Sequence, residues 1–182
     1  MERVVEIFAA QDESTDSRSH LVDRYGGEVY RFCRSLTYSK DDADDLFQEV
    51  FLKVMARPEK ISSAASPKGF LFSTTIYIWK SWKRKYARRE RIAPILPISE
   101  EMTIGQSLED EVLSGLDAKA VRAVVAGLPE KFRLCVLLYY AHDQSLSEIG
   151  AVIGLPVGTV KSRLYKARKL IEKGLMVAGY EN

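Results

Sequence analysis

Residues 145–169 read SLSEIGAVIGLPVGTVKSRLYKARK and have the layout of two helices joined by a short turn. Gly154 suits the left-handed end of the first helix, and Pro156 suits the start of the second, where its missing N–H is not needed. Apolar residues recur at helical spacing on both sides of this turn: Leu146, Ile149, Val152 and Ile153, then Val157, Val160, Leu164, Ala167 and Ile171. The stretch therefore predicts a helix-turn-helix.

The second predicted helix is cationic on the face opposite its apolar stripe. That face carries Lys161, Ser162, Arg163, Tyr165, Lys166, Arg168 and Lys169. A basic helix that follows such a turn can enter the major groove of DNA. Charge alone also fits the simpler interpretation of a solvated basic surface.

Charge is segregated along this chain of 182 residues, whose formal net charge is only +2. Residues 41–49 read DDADDLFQE and are acidic, whereas residues 80–91 read KSWKRKYARRER and are strongly basic. Such asymmetry says more about partners than the net charge does. The hydrophobic content of 46% is ordinary for a folded protein and argues against wholesale disorder.

Cys33 and Cys135 lie far apart in apolar helical patterns, so we expect buried thiols and no disulfide. The two histidines, His20 and His142, have no ligand-like spacing with them, and we predict no metal site and no cofactor. No apolar run approaches the roughly 20 residues that span a bilayer. The acidic N-terminus lacks the features of a signal peptide, so we expect a cytoplasmic protein without membrane insertion.

The periodicity predicts an all-α chain with two small helical domains joined by a flexible linker. Residues 17–91 form the first domain, in which Pro58 ends the second helix and Ser66 is an N-cap candidate for the third. Residues 92–116 are rich in proline, glycine and acidic residues and read as the linker, with a short helix near 107–113. Residues 117–174 form the second domain and end in the helix-turn-helix.

Motifs in both domains make the function specific. Asp44-Asp45-Leu46, Gln48-Glu49 and Phe51-Leu52-Lys53 match the D-L-x-Q-E-x-F-L-K pattern of sigma domain 2. Residues 127–140, GLPEKFRLCVLLYY, and residues 158–168, GTVKSRLYKAR, closely resemble sigma domain 4. The whole chain resembles an extracytoplasmic-function (ECF) sigma factor, the minimal two-domain type of bacterial transcription initiation factor.

This resemblance implies a non-enzymatic protein that binds core RNA polymerase, directs it to the −35 and −10 elements of promoter DNA, and helps to open the DNA. Many relatives are held inactive by an anti-sigma factor, which makes such a protein a third candidate partner. The runner-up is a stand-alone helix-turn-helix repressor or activator. An enzyme such as a nuclease is disfavoured, because no metal-ligand cluster or nucleophile-base pair is evident.

The resemblance also implies three groups of site residues. The polymerase-binding residues are Asp44, Asp45, Gln48 and Glu49. The −35 residues are Lys161, Ser162, Arg163, Tyr165, Lys166 and Arg168. Among the latter we expect Lys161 and Lys166 at base edges, since a cation can donate to guanine O6 and N7. Arg163 and Arg168 fit phosphate or structural contacts.

The group implied for the −10 element and DNA opening interleaves aromatic rings with cations: Tyr77, Trp79, Lys80, Trp82, Lys83, Arg84, Tyr86 and Arg88. Cations neutralise phosphates, and aromatic faces can hold unstacked bases. Trp79, Trp82 and Tyr86 are spaced to share one helical face, which fits either base stacking or core packing. The helix departs from the usual family pattern at Tyr77 and Ser81.

Overall fold

The computed structural model describes residues 15–37, 39–57, 60–61, 66–92 and 116–179. The chain divides into two compact units, Met1–Thr103 and Ile104–Asn182. Pro58 and most of the predicted linker, including its short helix near 107–113, lie outside the described residues. All regular structure in the described part is helical, as predicted. None of the helices described there is long and apolar enough to cross a membrane.

In the part of the first unit that the structure describes, the helices that pack together are α1 (Thr15–Leu36), α2 (Lys40–Met55) and α3 (Pro67–Ile92). Each of them packs against the other two. The Ser39 hydroxyl accepts the N–H of Asp42 at 3.0 Å and caps α2. The Ser66 hydroxyl accepts the N–H of Gly69 at 3.1 Å, which confirms the predicted N-cap of α3.

Aromatic and aliphatic side chains from all three helices fill the core of this unit. The rings of Phe32 on α1 and Phe72 on α3 lie 4.7 Å apart, and those of Phe47 and Phe51 on α2 lie 4.8 Å apart. A fully buried phenylalanine of this kind stabilises the fold by about 1.5–3 kcal/mol. The helical spacing of Leu46, Val50 and Phe51 predicts that these residues of α2 face the core, and all three are buried.

The second unit contains α4 (Leu116–Ala126), α5 (Glu130–Val136), a π-helical turn (Leu137–Ala141), α6 (Leu146–Ile153) and α7 (Val157–Val177). Helix α7 contacts α4, α5 and α6 and is therefore the element around which the unit is assembled. Its inward side chains Val160, Leu164 and Ala167 are buried, as the apolar stripe predicts.

The turn between α6 and α7 has the predicted chemistry. Gly154 adopts φ 69°, the left-handed conformation that ends α6, and Pro156 directly precedes the first residue of α7. The N–H of Leu155 donates to the carbonyl of Gly150 at 2.8 Å. At the other end of α6, the Ser145 hydroxyl and the Glu148 carboxylate form a capping box. The helix-turn-helix is therefore confirmed.

Two local features differ from the prediction. The sequence pattern of residues 130–140 predicts one continuous helix. In the structure α5 changes at Leu137 into the wider π-helical turn, with Leu138 in the core and Tyr140 at the surface. The carbonyl of Leu138 then accepts the N–H of Gln144 at 2.9 Å, which closes this turn. Val157 was expected in the buried stripe but is 40% exposed, because it is the first residue of α7 and precedes the buried stretch.

Candidate functional site

The outward face of α7 collects most of the predicted −35 residues. Lys161, Ser162 and Lys166 are exposed, and Tyr165 exposes 63% of its surface. The Ser162 hydroxyl donates to the carbonyl of Thr159 at 2.9 Å, one turn back along the helix. Because the buried stripe holds the opposite side of α7 against the unit, this polar face is presented as one continuous surface.

The two arginines of this group contact their own unit. Arg163 is half-buried, and its guanidinium lies close enough to the thiol of Cys135 to influence the pKa of that thiol. Burial raises the pKa of that thiol, and the charge of Arg163 opposes the rise. Arg168 is exposed, and its Nε donates to the hydroxyl of Tyr140 at 2.7 Å. The role of both arginines as phosphate or structural contacts stays a prediction.

Tyr140 was missed by the sequence interpretation. Its ring is 54% exposed and lies with its centroid 5.8 Å from the guanidinium carbon of Arg168. The contact joins residues 28 positions apart, and its geometry depends on the π-helical turn. No local spacing signal could have predicted this pair.

The predicted polymerase-binding residues lie along α2. Asp45 and Glu49 are exposed, and Gln48 is half-buried. Leu52 lies one turn further on and exposes 53% of its surface beside these polar residues. Leu52 belongs to the family motif, but the motif alone predicts no role for it. The helical spacing of Asp45, Gln48 and Leu52 was the available signal.

Asp44 differs from its neighbours because it is engaged within the unit. Its Oδ1 accepts the hydroxyl of Tyr30 at 2.7 Å, so the bond joins α2 to α1. Burial, followed by the hydrogen bond to Asp44, raises the pKa of Tyr30 to about 12. The role of Asp44 as a polymerase contact stays a prediction.

Helix α3 is divided along its length into a buried part and an exposed part. Leu71, Phe72, Ile76 and Ile78 lie in the core. Of the residues predicted for the −10 element, Lys80 and Trp82 are half-buried, and the remaining ones after Trp79 are exposed: Lys83, Arg84, Tyr86 and Arg88. Tyr77 lies among the buried positions but exposes 57% of its surface.

Burial separates the three aromatic residues that were expected to share a face. Trp79 is only 7% exposed and belongs to the core, which agrees with the packing alternative for this residue. Trp82 is half-buried, and Tyr86 is 57% exposed. The Nζ of Lys83 lies 4.8 Å from the ring centroid of Trp79 and covers the edge of that core.

The exposed parts of α2 and α3 lie next to each other. The indole Nε1 of Trp82 donates to Oε2 of Glu49 at 2.7 Å, across 33 positions of sequence. The Nζ of Lys53 lies 4.5 Å from the ring centroid of Tyr77. The residues predicted to bind polymerase and those predicted for the −10 element therefore lie on two helices that pack against each other.

The described residues contain no group of three or more His, Cys, Asp or Glu side chains arranged to hold a metal ion. The two cysteines are both free and buried, one in each unit. Burial raises the pKa of the Cys33 thiol strongly, which fits the expectation of an inert apolar side chain.

Comparison with known proteins assigns both units. The family description "Sigma-70 region 2" matches residues 21–89, and "Sigma-70, region 4" matches residues 118–171. The ECF RNA polymerase sigma factor SigW of Bacillus subtilis is 28% identical over 167 residues, which cover 88% of this chain and 89% of SigW. SigL of Mycobacterium tuberculosis strain Erdman is 28% identical over 160 residues, covering 87% and 89% of the two chains.

A solved structure shares the fold. The sigma factor RpoE of Bartonella quintana, crystallised with the anti-sigma factor NepR, superposes with a TM-score of 0.69 at 22% identity. The match covers 87% of this chain and 96% of that one. The fold and the two matched regions define a two-domain sigma factor. The chain belongs to the ECF family of RNA polymerase sigma factors and is a transcription initiation factor.

Proposed function

We propose that three surfaces of this sigma factor divide the work of initiation. The exposed face of α2 docks on core RNA polymerase through Asp45, Gln48 and Glu49, with Leu52 adding apolar contact. The cationic and aromatic part of α3 engages the −10 element as it opens. The outward face of α7 reads the −35 element. Sigma function of this kind needs no cofactor and no catalytic residue, because the polymerase forms the bonds of the RNA chain. We expect a protein with this function in the cytoplasm.

The observation that carries this proposal is the outward face of α7. Lys161, Tyr165 and Lys166 are exposed on a helix whose opposite side is buried in the core. The turn from Gly154 to Pro156 fixes where this helix begins. This is the geometry with which a recognition helix enters a major groove. The hydroxyl of Tyr140 holds the side chain of Arg168 in place. Arg168 therefore fits a contact with a DNA phosphate, which positions the protein on the DNA but does not read its sequence.

The acidic face of α2 supports the assignment of polymerase binding. Carboxylates at Asp45 and Glu49 would steer a basic partner and fix its orientation, while the exposed Leu52 would supply burial of apolar area. Because Asp44 is hydrogen-bonded to Tyr30, we propose that Asp45 is the acidic residue whose loss weakens polymerase binding most.

An anti-sigma factor is a further proposed partner. Its support is the Bartonella quintana relative of the same fold, which was crystallised with one. The alternative of a stand-alone repressor or activator is not favoured, because it leaves the sigma-type first unit without a role.

Asp45→Lys tests the polymerase contact. We expect the variant to bind core polymerase at least tenfold more weakly, since reversing a close interfacial charge costs several kcal/mol. Asp23→Lys is the matched control, because Asp23 is also exposed but lies on α1. Affinity is measured by fluorescence anisotropy of labelled sigma factor, and circular dichroism checks the fold. Equal affinity of the two variants for polymerase would contradict the assignment.

Run-off transcription with core polymerase, followed by mapping of the start sites, tests the function as a whole. We expect promoter-specific transcripts only when the sigma factor is added. DNA binding without polymerase, as a dimer on a palindromic site and with no effect on initiation, would favour the stand-alone regulator instead.

A further inference from the structure

We propose that Glu49 is a positioning residue for Trp82 and that it holds the indole ring in the orientation in which the opened promoter strand meets it. This inference rests on the proposed role of α3 in DNA opening. It gives Glu49 a task within the first unit in addition to the polymerase contact expected from its place in the acidic motif.

The hydrogen bond between these residues has the geometry of a strong interaction. The distance from Trp82 Nε1 to Glu49 Oε2 is 2.7 Å, at the short end of the range for a donor facing a charged oxygen. The indole N–H is the only polar group of tryptophan and can only donate. Glu49 is therefore the group on α2 that fixes the rotation of the Trp82 ring about its side-chain bonds.

The bond uses the N–H at the edge of the ring and does not itself occupy a π face. Trp82 is half-buried, and the positions that follow it on α3, from Lys83 to Arg88, are exposed and mostly cationic. Stacking on a base requires a ring face at a defined angle beside a path for the phosphates. An anchored indole at the start of this cationic stretch meets both requirements.

The location of the carboxylate also calls for an explanation. A negative charge beside a surface that binds phosphates repels the ligand. A carboxylate at this position therefore needs another role to explain it. Folding alone does not supply that role. The bond lies at the surface, and the neighbouring buried residue Trp79 already holds this part of α3 in the core. Orienting Trp82 accounts for the carboxylate, and its second oxygen can still accept from polymerase.

The test compares two substitutions of Glu49 that lose the same charge. Glu49→Gln keeps a side-chain oxygen that can accept from the indole N–H, whereas Glu49→Leu does not. Any effect of the lost charge on polymerase binding is common to both variants, so their difference reports the hydrogen bonds that the Glu49 side chain accepts. Trp82→Phe keeps a ring and removes the donor, and in this background the two Glu49 variants should become equal.

The first readout is the environment of Trp82 itself. The chain contains only two tryptophans, so incorporation of 5-fluorotryptophan yields two ¹⁹F resonances, and Trp82→Phe identifies which one is Trp82. We expect the Trp82 resonance to stay near its wild-type position in Glu49→Gln. In Glu49→Leu it should shift and sharpen, because the ring gains rotational freedom, while the Trp79 resonance is unchanged.

The second readout is promoter opening by the reconstituted holoenzyme, followed by permanganate reactivity of unpaired thymines on a promoter mapped by run-off transcription. Polymerase is added at saturating concentration, so that binding does not limit the signal. We expect Glu49→Leu to open the duplex about fivefold less than Glu49→Gln, which corresponds to the low end of a stacking contribution. A pre-melted bubble template should reduce the difference.

The outcomes separate this inference from the proposed function. If the two Glu49 variants give the same Trp82 resonance, or open DNA equally, the positioning role is wrong. The DNA role of α3 still stands in that case if Trp82→Ala impairs opening. If Trp82→Ala opens DNA like the wild type, the proposed function of Trp82 fails and the inference fails with it.

Discussion

At Tyr30 the fold changes the acid-base chemistry of a single side chain. Burial and the hydrogen bond to Asp44 raise its pKa from the ordinary 10.0 to about 12, so the folded state favours the neutral phenol. The stability that this group contributes is fully present below pH 10. It is lost as the pH rises toward 12, because the unfolded chain ionises first.

Tyr30→Phe should therefore lower stability at pH 8 by about 1–3 kcal/mol, the worth of a hydrogen bond to a charged acceptor. The difference in the free energy of unfolding between wild type and variant should narrow as the pH is raised from 9 to 12, since phenylalanine does not ionise. Urea unfolding at a series of pH values measures both effects. Tyr77→Phe is the control, because Tyr77 is largely exposed in the same unit. A gap that stays constant with pH would contradict the linkage.

On α7 the neighbouring cations Lys166 and Arg168 should differ in the kind of DNA contact they make. Lys166 is exposed, whereas Arg168 is anchored by Tyr140. Lys166→Ala should cost roughly 1–3 kcal/mol of −35 binding and relax specificity at one base pair. Arg168→Ala should weaken binding evenly across sequences and reduce the salt dependence.

Tyr140→Phe should reproduce part of the Arg168→Ala effect, because the variant removes the oxygen that accepts from Arg168 Nε and keeps the ring. Holoenzyme binding to a panel of −35 variants at two salt concentrations measures these effects. If Lys166→Ala loses the same affinity on every −35 sequence of the panel, this residue contacts only phosphate.

At the scale of elements, the tight passage from α6 to α7 depends on the absence of a side chain at Gly150. A Cβ atom at this position would lie 2.6 Å from the carbonyl oxygen of Leu155, which is backbone and cannot rotate away. Gly150→Ala should therefore destabilise the second unit by about 1–3 kcal/mol, the usual cost of overpacking.

Gly158→Ala is the matched control for this prediction. A Cβ atom there would have no neighbour within 4 Å, and the position is exposed in the first turn of α7. Alanine should be neutral or stabilise by up to about 1 kcal/mol through helix propensity. Thermal unfolding of the two variants measures this difference in stability. Equal melting temperatures would mean that the turn relaxes to admit a methyl group.

At the scale of the whole molecule, the net charge is only +2 because acidic and basic surfaces nearly cancel. We expect these surfaces to bind two different partners. The acidic face of α2 is expected to meet polymerase, and the cationic parts of α3 and α7 are expected to meet DNA. Attraction between exposed charges speeds association more than it adds affinity, and salt screens it over about 10 Å at 0.1 M.

Asp41→Asn combined with Asp45→Asn should therefore slow association with core polymerase several-fold at low salt, since both residues are exposed on α2. The rates of variant and wild type should converge as salt is raised. Stopped-flow fluorescence with labelled sigma factor measures these rates. Identical rates at low salt would exclude steering by this face.

The sequence by itself determined the all-α class, the helix-turn-helix and the family. These depend on signals carried by neighbouring residues: helical periodicity, Gly154 with Pro156 at the turn, and Ser66 as a cap. The burial of Leu46, Val50 and Phe51 could be predicted for the same reason. Candidate site residues could be proposed only by type and position within a motif.

Only the tertiary structure decided which of those residues are available and which are engaged. Trp79 and Trp82 looked equivalent in the helical pattern, yet one is buried and the other is held by Glu49. Asp44 and Asp45 are adjacent, yet only Asp44 lies within reach of Tyr30. Contacts between residues 14 to 33 positions apart depend on how helices pack, and periodicity along one helix carries no information about its neighbour.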